Sequence, residues 1–81
     1  MSQRIEETIS ALLSQVRDGE SISPNDVAKA IDPINWRREL PKVRSLAIGM
    51  ARQGRIEVLR KGKPVDPEGF KGLYRLRLSR P

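Results

Sequence analysis

Apolar positions near the start of the chain recur at helical spacing. Ile5, Ile9, Leu12, Leu13 and Val16 fall at i, i+4, i+7, i+8 and i+11, which draws one apolar face on a helix of 3.6 residues per turn. The spacing predicts a helix over residues 4–17, stopped by Asp18-Gly19, where glycine accommodates a left-handed C-cap. Glu20-Ser21-Ile22 is short and ends β-branched, so it either pairs as a minimal strand or runs extended. A helix start follows, with Ser23 as N-cap, Pro24 at the first helical position and Asp26 completing an approximate capping box. Ile22 and Val27 form the hydrophobic staple, Val27, Ala28 and Ile31 face inward, and Asp32-Pro33 ends the helix, which is predicted over 24–31.

Ile34 to Leu40 contains the single tryptophan and reads as a helical turn leading to Pro41, which suits the first position of a helix far better than its interior. Val43, Leu46, Ala47 and Met50 then occupy i, i+3, i+4 and i+7, and Gly54 stands where a terminating glycine belongs, so a third helix is predicted over 41–53. Past Gly54 the period changes from 3.6 to 2. Ile56 and Val58 alternate with Glu57 and Leu59, and later Tyr74, Leu76 and Leu78 with Arg75 and Arg77, which predicts strands near 55–60 and 73–78. Between them Asp66-Pro67-Glu68-Gly69 has type I turn chemistry inside a long, basic loop. This is an α+β order: a three-helix, helix-turn-helix core closed by a C-terminal β-hairpin wing, in one winged-helix-like domain over 1–81.

The stretches Ser23-Pro24-Asn25-Asp26-Val27-Ala28, Trp36 through Arg44, Gly54 through Val58 and Lys61 through Pro67 resemble a family of small uncharacterised bacterial proteins. The similarity covers nearly the whole chain. Its most specific pieces are the lysine-glycine turn followed by Val65-Asp66-Pro67, and Gly72 ahead of Arg75-Leu76-Arg77; Leu73 departs from the proline common among relatives. The resemblance implies a winged-helix-like fold and no established activity. Winged helices most often bind DNA and also serve as protein-interaction modules, so the fold alone argues function only by analogy.

Charge sharpens the picture. Residues 1–34 carry three basic and six acidic side chains, a balance of −3, whereas residues 35–81 carry thirteen against four, a balance of +9. That asymmetry points to a polyanionic partner, against the alternative of a solubilising surface. The chain has no histidine, no cysteine, no phosphate-cradling glycine motif and no paired carboxylates in a pocket-forming segment, so neither an enzyme nor a metal or cofactor site is expected. The first residues lack the apolar stretch of a signal peptide and no run reaches membrane-spanning length, from which a cytoplasmic location is expected.

The expected partner is double-stranded DNA, bound with weak sequence specificity by a small regulator-like module that is a monomer or a weak homodimer. With Val43 at the centre of the buried face of the third helix, a 100° step puts Ser45, Gly49 and Arg52 opposite, with Lys42 and Arg44 on the flanks. Arg52 and Ser45 are candidates to face bases, although the face lacks asparagine and has one glutamine at its end. Arg37, Arg38 and Lys42 are candidate phosphate contacts near the helix start. In the wing, Lys61, Lys63 and Lys71, with Arg60, Arg75 and Arg77 on the strands, would track a phosphate backbone, unless they protect a strand edge. Trp36 is expected to plug the core, while Phe70, in a polar loop, has no evident burial partner. The competing reading is a protein-interaction module that meets an acidic protein surface.

Overall fold

Local capping chemistry fixes the three helices close to where the apolar spacing puts them. In the computed structural model, which describes residues 2–79, α1 spans Ser2–Gln15, α2 Pro24–Ile31 and α3 Leu40–Arg52, with a 3-10 turn Trp36–Glu39 leading into α3. α1 ends two residues earlier than predicted. The Arg17 amide donates to the Glu20 carboxylate at 3.0 Å and the Arg17 carbonyl accepts from the Glu20 amide at 2.9 Å, so a tight turn uses groups that a longer helix would need.

α2 opens with a complete capping box: the Asp26 amide donates to Ser23 Oγ, and the Ser23 amide donates to Asp26 Oδ2, each at 3.1 Å. At its other end Arg4 of α1 donates to the Ile31 carbonyl at 3.0 Å, which ties the first two helices together and satisfies a terminal carbonyl. α3 closes in a Schellman arrangement, in which the Arg55 amide donates to the Met50 carbonyl and the Gly54 amide to the Ala51 carbonyl, each at 3.0 Å. Gly54 has φ +79 there, a conformation that glycine adopts without steric cost.

The sheet differs from a simple hairpin. β1 (Ser21–Ile22), β2 (Ile56–Arg60), β3 (Lys63–Pro64) and β4 (Arg75–Leu78) form one antiparallel sheet in the order β1-β4-β2-β3. The expected 55–60 and 73–78 strands do pair, with Val58 opposite Leu76. They are not joined by one long loop, however, because the chain first turns tightly at Lys61-Gly62 and lays β3 on the outer side of β2, with Arg60 opposite Lys63. Lys61 and Gly62 have φ of 54 and 80, the positive values that a two-residue turn of the primed type requires and that match the twist of the flanking strands. β1 resolves the ambiguity at Ser21-Ile22 by pairing with β4. Both edge strands are two residues long, and β3 includes Pro64, so neither offers a long template for further pairing.

Apart from Leu59, the buried side chains among the described residues form one cluster. Ile9 and Leu13 of α1, Val27 of α2, Val43 of α3, Val58 of β2 and Leu76 of β4 are all sealed from solvent, and no charged side chain is buried among the described residues. Trp36 does not plug this core. It packs against the cluster from the rim, half-buried, with Lys29 Nζ 4.9 Å and the Arg37 guanidinium 4.5 Å from its ring centroid. Phe70 does the reverse: it reaches the core from a polar loop. Among the described residues no helix is long and apolar enough to cross a membrane.

Leu76→Ala removes a side chain sealed between helices and sheet. The substitution is expected to cost about 2–5 kcal/mol, a large share of the roughly 5–15 kcal/mol that stabilises a small domain. Ile34→Ala, at a position 86% exposed, is expected to change stability by less than about 0.5 kcal/mol. Urea midpoints at constant slope measure both, and equal losses would contradict this assignment of the core.

Candidate nucleic-acid interface

The segment between β3 and β4 decides which face of α3 remains open. It begins with the predicted turn, in which the Asp66 carbonyl accepts from the Gly69 amide at 3.1 Å and Asp66 Oδ1 from the Glu68 amide at 2.9 Å. It then runs along α3 toward its N-terminus. Glu68 meets Arg52 at 3.3 Å, Phe70 meets Arg44, and Leu73 and Tyr74 border a groove with Leu40 and Pro41. Positions 40, 44 and 52 recur at 4 and 8 residues, so the loop covers one flank of the helix.

The strongest of these contacts centres on Arg44. Its guanidinium carbon stands 4.2 Å from the Phe70 ring centroid and 5.7 Å from that of Tyr74, and Nη2 donates to the Phe70 carbonyl at 3.1 Å. The two rings pack tilted, 5.0 Å between centroids. A planar cation stacked on an aromatic face while it donates a hydrogen bond is a geometry that lysine cannot reproduce. Arg44, expected on the flank of a DNA-facing helix, is thus held half-buried by contacts within the protein.

Other candidate cations are similarly engaged. Arg75 donates to Ser21 Oγ at 2.7 Å and to the Ser21 carbonyl at 3.0 Å, which fastens β1 to β4. Arg77 lies opposite Glu57 on β2 and donates through Nε and Nη2 to Oε1 at 2.9 and 2.6 Å, in a half-buried cross-strand pair. β4 is an inner strand, so neither arginine guards an edge. Arg52 is exposed but paired with Glu68.

What remains are two sets. Arg38 and Lys42 are exposed at the start of α3, and Arg37 is exposed while stacked on Trp36. Lys61, Lys63 and Lys71 are exposed around the β2–β3 turn and the loop that follows, and no side-chain partner is formed by them among the described residues. Along α3 the outward positions are Lys42, Ser45, Gly49 and Arg52. A Cβ added at Gly49 would meet nothing within 4 Å, so no internal packing contact explains the glycine. Lys42 and Ser45 also line a groove of about 750 Å³ between α3 and the α1–α2 pair, beside Arg4, Ile31 and Leu46. A second groove, about 480 Å³, lies where the N-terminus of α2, the start of α3 and the Leu73 segment meet; Arg37 and Arg44 line it and no carboxylate does.

The sequence pattern did not reveal Leu73, which is 88% exposed, or the conformation of Lys61. The signal for Lys61 was present in the dipeptide Lys61-Gly62 between two residues that pair, which fits a two-residue hairpin turn.

Arg44→Lys keeps the charge and loses the stack, and is expected to lower stability by about 1–2 kcal/mol; Lys42→Ala, in the exposed set, is expected to leave it nearly unchanged. Tyr74 supplies a pH readout. Burial raises its phenol pKa above the ordinary 10.0, with the Arg44 charge pulling it down in part. The folded state therefore binds this proton more tightly than the unfolded chain, so the contribution is complete below about pH 10 and is lost as pH rises through the elevated folded value. Tyr74→Phe is expected to remove that component of the alkaline loss of stability. Urea midpoints for the two proteins on either side of that pH test it, and parallel curves would show that Tyr74 contributes none.

A family model described as a protein of unknown function, DUF3253, matches residues 2–79. No curated protein matches the chain.

Proposed function

The chain belongs to the DUF3253 family of proteins of unknown function, and we propose that it binds double-stranded DNA as a winged-helix-like module. The outward face of α3 approaches the major groove and the Lys61–Lys63 turn meets the phosphate backbone. The element order supports this reading: helix, short strand, helix, helix, then antiparallel strands, with β1 added beside β4. The β2–β3 turn takes the part of the wing.

One observation carries the proposal. Lys61 is the single non-glycine residue at positive φ among the described residues. A β-carbon in that region costs about 1–2 kcal/mol, and asparagine or glycine would carry it at less expense. The turn sets this backbone conformation whatever residue stands there, so a lysine that suits it worse and makes no side-chain contact within the described residues points to a role elsewhere, and here it places a cation at the tip of an exposed turn two residues from another. Gly49 supports the same reading from α3. Glycine in a helix interior costs about 1 kcal/mol relative to alanine, the space for a methyl group is vacant, and a bare backbone permits close approach to a groove. With Arg44, Arg75 and Arg77 committed to internal contacts, phosphate binding falls to Arg37, Arg38, Lys42, Lys61, Lys63 and Lys71, and any base contact to Ser45 and to Arg52 once it leaves its exposed pairing with Glu68. Few groups on this surface read bases, and the binding is accordingly of low sequence specificity.

Lys61→Asn is expected to raise the melting temperature while weakening binding to unrelated duplexes alike. Combined with Lys63→Ala it is expected to flatten the dependence of log affinity on log salt by about two units. Gly49→Ala is expected to stabilise the fold and to weaken duplex binding. Salt-resolved titrations with short duplexes measure all three. Wild-type protein that binds no duplex at low salt would overturn the DNA reading in favour of an acidic protein partner, and a Lys61→Asn variant with unaltered salt dependence would remove the turn from the interface.

A further inference from the structure

Leu73 is the most exposed of the large apolar side chains described, with 88% of its surface open to solvent. The backbone that presents it is held on both sides. Gly72 has φ +85, which glycine adopts without strain, and a Cβ there would stand 3.1 Å from Arg60 Nη1, so a larger residue would also push the guanidinium back by a few tenths of an ångström. The same Nη1 donates to the Leu73 carbonyl. On the following side Tyr74 packs against Phe70, and Arg75 is bound to Ser21. Leu73 is thus projected from a braced segment, unlike a loop tip that exposes an apolar residue through lack of contacts.

Its surroundings are cationic. Leu73 borders the groove that Arg37 and Arg44 line and no carboxylate enters. Arg60 lies behind its carbonyl and Lys71 precedes it by two residues. A polyanion drawn to this surface gains from an exposed leucine only if it also offers an apolar surface between its charges. Duplex DNA does so on the faces of its stacked base pairs, whose edges floor the minor groove between two rows of phosphate, and apolar side chains flanked by cations enter there by partly unstacking one step.

We propose that Leu73 is such a wedge: it enters the minor groove of bound duplex, unstacks one base step and bends the DNA, while Arg37 on one side and Lys71 on the other face the flanking phosphates. The proposal rests on the DNA reading above and adds to it a deformation of the duplex. Flexible pyrimidine–purine steps are then preferred without any hydrogen bond to a base, because they unstack most easily.

The test uses a short A·T-rich duplex with a central TpA step, 2-aminopurine in place of the adenine of that step, and a donor–acceptor dye pair at the ends. Wild-type protein is expected to raise the 2-aminopurine fluorescence and shorten the end-to-end distance. Leu73→Ala, whose thermal unfolding should match wild type because the side chain is exposed, is expected to lose both signals and about tenfold in affinity. Its salt dependence should be retained, and Leu73→Met should restore the signals. Wild-type binding without unstacking or bending overturns the wedge and leaves the DNA reading standing; so does Leu73→Ala with undiminished signals. Wild-type protein that binds no duplex overturns both, and in that event binding to an acidic, leucine-containing peptide that Leu73→Ala abolishes assigns the side chain to a protein partner.

Discussion

The stack of Arg44 on Phe70 is the contact on which the arrangement of the C-terminal half depends. The segment from Val65 to Tyr74 has no regular secondary structure to hold it, and an unsupported loop of that length loses considerable conformational entropy when ordered. Phe70 offsets this by burial, and Arg44 fixes its direction by combining a ring contact with a hydrogen bond to the same residue's carbonyl. With the loop pinned at its middle, Glu68 falls beside Arg52, Leu73 falls beside the start of α3, and β4 is delivered into the sheet between β1 and β2. One flank of α3 is thereby closed, and the face that carries Lys42, Ser45 and Gly49 is left open.

A division of labour between the two basic residue types follows from their chemistry. Arginine presents a planar fork that stacks on rings and donates several bonds from one rigid group, whereas the ammonium of lysine is compact and strongly hydrated. Here Arg4, Arg44, Arg55, Arg60, Arg75 and Arg77 bind carbonyls, hydroxyls, carboxylates or rings within the protein. Lys29 lies over the Trp36 ring, but Lys42, Lys61, Lys63 and Lys71 form no such contacts among the described residues and stay exposed. The large positive balance of the C-terminal half is consequently partly structural. The cations without an internal contact among the described residues are fewer than the formal charge suggests, and they gather at the start of α3 and around the β2–β3 turn.

Two positions on this open surface hold residues that the fold itself does not favour. Lys61 occupies a backbone conformation better suited to asparagine or glycine, and Gly49 occupies a helix interior where alanine would fit. Local preference and global fold agree almost everywhere else, in the Ser23–Asp26 capping box, in the termination at Gly54 and in the Asp66 turn. Exceptions to such agreement tend to mark sites shaped by function.

The sequence by itself determined the helices and the identity of the main strands, because those signals are local: an apolar period of 3.6 or 2, a serine three residues before an aspartate, and a glycine past the last apolar position. It also determined membership of a functionally unassigned family and the charge asymmetry, which are properties of composition and order alone. Only the tertiary structure decided what each cation does. Lys42 and Arg44 stand on the two flanks of α3, either side of Val43, and nothing local tells the flanks apart; one residue is locked against Phe70 and the other is exposed, because the partner arrives from 26 residues away along a loop with no periodic signal. The same holds for Trp36 and Phe70: the ring expected to plug the core packs against it only partly buried, and a ring in a polar loop was drawn into it. Burial depends on how distant segments meet in space, and neighbouring residues in sequence carry little record of that meeting.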